Sequence, residues 1–84
     1  MKEIKIGKVS KYFVHPEAAA IELEGGVKVG DTIHIKGHTT DFEQEIESME
    51  IENEPVKEAK PGDSIGIKVK ERVRPHDLVY KVIE

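Results

Sequence analysis

The chain has no cysteine among its 84 residues. That excludes disulfides and thiolate zinc sites and leaves the core to aliphatic side chains. It also fits a reducing compartment. No apolar run approaches the roughly 20 residues of a membrane helix, and the opening MKEIKIGK is too charged for a signal peptide. A soluble, cytoplasmic protein without membrane contact is expected. Excess positive charge is also lacking: the net charge of −4 argues against a strong general nucleic-acid binder. Aromatic rings are few: Tyr12, Phe13, Phe42 and Tyr80. Phe42 and Tyr80 read as core, so only Tyr12 or Phe13 is free to stack on a base, which disfavours an oligonucleotide-binding barrel of the usual kind. There is no G-x-S-x-G elbow and no thiol nucleophile. EGGVKVGD is not a phosphate-binding G-x-x-x-x-G-K-[ST] loop, and it precedes a strand rather than a helix. Catalytic residues, nucleotide and cofactors are therefore not expected.

What is present is a period of two. Ile33 and Ile35 alternate with Thr32, His34 and Lys36. Phe42, Gln44 and Ile46 alternate with Glu43, Glu45 and Glu47, and Ile65, Ile67 and Val69 with Gly66, Lys68 and Lys70. Ile21 and Leu23 against Glu22 and Glu24 read the same way, after a loop at 15–17. Leu78, Tyr80 and Val82 close the series. Alternation of this kind marks half-buried strands. No helical period is sustained.

The phase slips twice. Ile4 and Ile6 share one parity and Val9 has the other; Ile46 and Met49 differ likewise. An inserted residue has this effect, so bulges are expected near Gly7 and near Glu47–Ser48, and bulges bend strands toward closure. Three similar turns punctuate the chain: Lys28-Val29-Gly30-Asp31, Lys60-Pro61-Gly62-Asp63 and Arg74-Pro75-His76-Asp77. Glycine at the third position supplies positive φ, and His76 takes that place in the third copy.

Two stretches carry candidate chemistry. In GHTTDFEQ, residues 37–44, a metal reading would use His34, His38, Asp41 and Glu43. His34 belongs to a strand and His38 to the loop beyond Gly37, so the preferred reading is a turn: Thr39, Thr40 and Asp41 cap it through their side chains and Phe42 enters the core. No metal site is assigned. The basic run KVKERVRP offers Lys68, Lys70, Arg72 and Arg74 as contacts to RNA phosphates or to a partner. The competing reading sets Lys68 and Lys70 across from Glu43, Glu45 and Glu47, where opposite charges stabilise a sheet by roughly 0.2–1 kcal/mol per pair. Residues 41–54 hold seven acids and no base, which reads as a solvated face.

The order of these parts resembles the second domain of the translational GTPases, as in elongation factor Tu. The likeness is carried by Gly30-Asp31, Glu47-Ser48-Met49-Glu50, and Ala59 with Gly62-Asp63. GHTTDFEQ, EPVKEAKPGD and RVRP together resemble the small C-terminal barrel of bacterial collagenase-like peptidases, and free-standing elongation-factor-like proteins. The resemblance implies an all-β fold: a single six- or seven-stranded antiparallel barrel over residues 1–84, of the reductase/isomerase/elongation factor type. It implies a non-catalytic binding module associated with tRNA, ribosomal RNA or the translation apparatus. The alternative is an accessory protein-interaction domain of a collagenase-like peptidase or RNA-modifying enzyme. Met1 and the absence of a linker favour a complete small protein.

Overall fold

The computed structural model describes residues 2–83. Ten strands follow one another: β1 (Lys2–Phe13), β2 (Ala18–Leu23), β3 (Val27–Lys28), β4 (Thr32–Lys36), β5 (Asp41–Glu45), β6 (Met49–Ile51), β7 (Glu54–Val56), β8 (Glu58–Ala59), β9 (Ser64–Lys68) and β10 (Leu78–Ile83). Eight form one antiparallel sheet in the order β5-β4-β10-β1-β2-β9-β6-β7, and β3 pairs separately with β8. The fold is all-β, with no helix among the described residues. The strand count exceeds the expected six or seven because β3, β6, β7 and β8 have only two or three residues each, too few for a period of two to register in sequence.

The sheet wraps around its own apolar face. Ile21, Ile33, Ile35, Ile46, Met49, Val9, Val73 and Val79 are almost wholly inaccessible, and the core they share draws on residues from one end of the strand order to the other. A flat sheet could not gather these side chains into one cluster. Closure by a backbone ladder is not seen: among the described residues β5 pairs only with β4, and β7 only with β6.

The alternation places Ile21, Leu23, Ile33, Ile35, Ile65 and Ile67 inward and Glu22 and Glu24 outward, as expected. It fails in β10. Val79 is the fully buried residue, while Leu78, Tyr80 and Val82 lie half-buried on the opposite face. LVYKVI is apolar at both parities, so periodicity alone has no means of choosing the phase. Tyr80 therefore leaves the expected core and lies near His34, ring centroids 6.3 Å apart.

The bulge near Gly7 is present. Lys5 pairs with Tyr80 and Gly7 with Val79, leaving Ile6 as the extra residue. Gly7 is needed there, because a Cβ would run into the backbone carbonyl of Glu22. A second, unforeseen slip lies between Val9 and Lys11, and the hydroxyl of the extra residue, Ser10, donates to the Ala20 carbonyl at 3.2 Å. The break at Glu47–Ser48 is not a bulge. Residues 46–48 connect β5 to β6, which belongs to the other end of the sheet, and parity changes because the strand ends.

The three similar turns share one construction. Gly30, Gly62 and His76 have φ of 99°, 96° and 78°. In each turn the closing aspartate accepts a hydrogen bond from the N–H three residues back: Lys28 to Asp31 at 2.9 Å, Lys60 to Asp63 at 2.9 Å, Arg74 to Asp77 at 2.8 Å. The expected side-chain capping of GHTTDFEQ is not formed. Its turn closes through the Gly37 N–H and the Thr40 carbonyl at 2.7 Å, and the Thr40 hydroxyl is buried with no protein partner among the described residues. Thr39 and Asp41 turn instead to Arg74 and His34.

Candidate functional site

The basic run leaves the end of β9 and continues along the connection to β10. Val73, 1% exposed, anchors it in the core, so Arg72 and Arg74 emerge on either side of a fixed point. The Arg72 guanidinium lies 5.8 Å from the centre of the Tyr12 ring, a cation–π distance. Arg74 Nε donates to Thr39 Oγ1 at 2.9 Å. Lys68 and Lys70 face elsewhere. They line an open groove of about 420 Å³ with Gln44, Glu45, Glu47 and Ser48. The four predicted cations thus occupy one stretch of surface but do not converge on one point.

The lysines are not opposite the acids of β5. β9 pairs with β2 and β6, and Lys68 stands across from Ala18. Among the described residues no ion pair joins Lys68 or Lys70 to Glu43, Glu45 or Glu47. What crosses the groove is the side chain of Gln44. Its Nε2 donates to the Lys68 carbonyl at 2.8 Å, and its Oε1 accepts from the Lys70 N–H at 2.9 Å. One amide therefore makes the pair of bonds that a residue of a neighbouring parallel strand would make, and it stitches the free edge of β5 to the end of β9. A second groove, about 350 Å³, runs beside it over Ala18, Gly66 and Lys68, walled by Phe13, Pro16 and Glu50. Phe13 is 42% exposed, and the Lys11 ammonium lies 5.2 Å from its ring centre. The acids Asp41, Glu43, Glu45, Glu47, Glu50, Glu52 and Glu54 are all exposed, which makes the expected solvated face.

A second cluster forms on the outer face of β1, β10, β4 and β5. His34 Nδ1 lies 2.8 Å from Glu3 Oε2, and its Nε2 lies 2.5 Å from Asp41 Oδ1. Glu43 is the cross-strand neighbour of His34. Asp41, hydrogen-bonded to the ring, holds the imidazole above its ordinary range; desolvation opposes this and Glu3 adds to it. The bond from His34 holds the Asp41 carboxyl below its ordinary range in turn. His38 stays in its exposed loop, outside the cluster. Sequence reading named His34, Asp41 and Glu43 but missed Glu3, which is 31 positions from His34 and reaches it only through the sheet. It missed Gln44 as well, since its alternation signals only a partly buried side chain.

No family model matches this chain. Curated relatives exist nonetheless. The chain is 39% identical over 84 residues to an uncharacterized protease of Methanocaldococcus jannaschii, covering 99% of this chain and 21% of that protein. It is 40% identical over 82 residues to a collagenase of Porphyromonas gingivalis, covering 95% of this chain and 20% of that protein. Among solved structures it is similar to the C-terminal domain of a candidate U32 peptidase of Geobacillus thermoleovorans, with a TM-score of 0.88 and 23% identity, covering 94% of this chain and 92% of that one. The chain therefore shares its fold with that C-terminal domain and matches about a fifth of the length of the two curated relatives.

Proposed function

We infer that residues 1–84 act as a single accessory, non-catalytic binding module of a collagenase-like peptidase. One observation carries this reading: nearly the whole chain aligns, but with only about a fifth of each protease relative. A segment of that size that lacks a nucleophile elbow and a thiol has the make-up of an attached domain rather than of the catalytic unit. The elongation-factor-type barrel fits the wrapped sheet, with Gln44 crossing the seam where a ladder is missing. A cytoplasmic location accords with the absence of cysteine.

The test uses a collagenase-like peptidase relative from which the matching fifth has been removed. Adding the 84-residue chain in trans should give saturable binding by calorimetry and raise the melting temperature of the truncated enzyme. Failure to bind at about 100 μM of each component, well above the micromolar range of weak specific complexes, would overturn the reading.

A second reading, contact with RNA of the translation apparatus, draws on a specific observation. Arg72 lies on the Tyr12 ring and Lys11 on the Phe13 ring, and Phe13 shares a groove with Lys68. Stacking surfaces beside phosphate-binding cations are the elements of single-strand recognition.

A further inference from the structure

We propose that Glu3, His34 and Glu43 form a surface binding site for a zinc-class divalent cation, with Asp41 as a positioning residue that orients the imidazole. The three ligands come from three strands of one sheet. Glu3 is on β1, His34 on β4 and Glu43 on β5, and one donor atom from each lies within 4.8 Å of the others. A metal bound about 2.0–2.2 Å from each donor sets tetrahedral neighbours roughly 3.4 Å apart. Rotamer changes of the two exposed glutamates cover that difference, while the register pair His34–Glu43 stays fixed by the ladder.

The imidazole is already arranged for this role. Metal-bound histidines commonly donate their second ring N–H to a carboxylate, which fixes tautomer and ring orientation. Asp41 holds Nε2 in that way, and Glu3 sits 2.8 Å from Nδ1, so the cation takes the place of the Nδ1 proton between ring and carboxylate. The charge balance points the same way. Three carboxylates surround one imidazole, and every ion pair that Glu3 and Asp41 make among the described residues ends on that ring. Lys36, across from Asp41, and Lys5, in register with Tyr80 and through it with His34, are cations on the same face; Lys5 is paired with Glu24. A nitrogen ligand with carboxylates selects zinc-like ions over calcium and magnesium, which prefer oxygen-only shells. Three protein ligands leave a coordination position for water.

Titration of the intact chain with zinc chloride at pH 7.5, followed by calorimetry and by the metal-dependent rise in melting temperature, tests the site. One saturable site is expected. His34→Gln and Glu43→Gln should each weaken it by tenfold or more, Asp41→Asn by about tenfold, and His38→Gln should leave it unchanged. Glu43 makes no ion pair among the described residues, so its variant keeps the test decisive if His34→Gln does not fold. No saturable binding up to about 1 mM zinc, a weak limit even for low-affinity sites, would overturn the proposal. So would zinc binding that persists undiminished in Glu43→Gln.

Discussion

His34 shows how a single side chain ties distant segments together. Its ring links Glu3 of β1 to Asp41 of β5 across the outer face, and the consequence is a pH dependence of defined sign. The folded state raises the pKa of His34 above its ordinary 6.5. Its stabilising contribution is therefore complete below pH 6.5 and is lost as pH rises through the raised value. Asp41 is lowered from 3.8, so its share is lost as pH falls through the lowered value. In chelator, the stability advantage of the wild-type chain over His34→Gln should be greatest between these limits and shrink above pH 6.5. Urea midpoints of both proteins from pH 4 to 9 measure this, and a gap that widened toward pH 9 would refute it. His76 makes a second residue-scale case. At φ 78° it occupies the place that glycine holds in the two sister turns. His76→Gly should stabilise the chain by about 0.5 kcal/mol, because relief of left-handed strain outweighs the greater unfolded-state freedom of glycine. The backbone bond from residue 76 N–H to the Val9 carbonyl is retained. A lowered melting temperature would show that the imidazole itself contributes contacts.

At the scale of elements, the seam between β5 and β9 is the weak point of the sheet. Two bonds from Gln44 stand in for a strand ladder. Gln44→Ala removes both and leaves the Lys70 N–H and the Lys68 carbonyl to solvent, at a cost of about 1–2 kcal/mol. Hydrogen exchange should quicken selectively at the Lys70 amide, while amides of the β4–β10 ladder keep their protection until global unfolding. Uniform acceleration at both places would mean that the seam opens only with the whole fold. Much at this scale is readable in advance. The three turns declare themselves through Gly-Asp or His-Asp, and the first bulge through the parity change between Ile6 and Val9. The phase of β10 is not readable, since LVYKVI is apolar on both faces. The Glu47–Ser48 parity change resembles a bulge because a strand that ends and another that begins elsewhere leave the same mark as an inserted residue.

For the whole molecule, salt dependence separates the two proposed kinds of partner. If RNA contacts the basic run, affinity should fall steeply with log salt, and Arg72→Ala with Arg74→Ala should weaken binding about tenfold or more, each lost phosphate contact also reducing the salt slope by about one. The same double variant should cost some stability, because Arg72 covers Tyr12 and Arg74 holds Thr39. Binding must therefore be compared at a temperature where both proteins are folded. Unchanged RNA affinity in the folded variant would remove these arginines from the interface. If the partner is the remainder of a peptidase, the complex should respond weakly to salt.

The sequence by itself determined the longer strands, the turns and the inward residues of β2, β4, β5 and β9, because alternation and turn chemistry act between residues a few positions apart. It determined the candidate cations too, since charge is legible wherever it stands. Only the tertiary structure decided that Glu3 meets His34, that Gln44 bridges to Lys68 and Lys70, and that Arg72 rests on Tyr12. Each of these pairs spans two dozen or more positions of chain, and no local pattern encodes which edges of a wrapped sheet come to lie side by side.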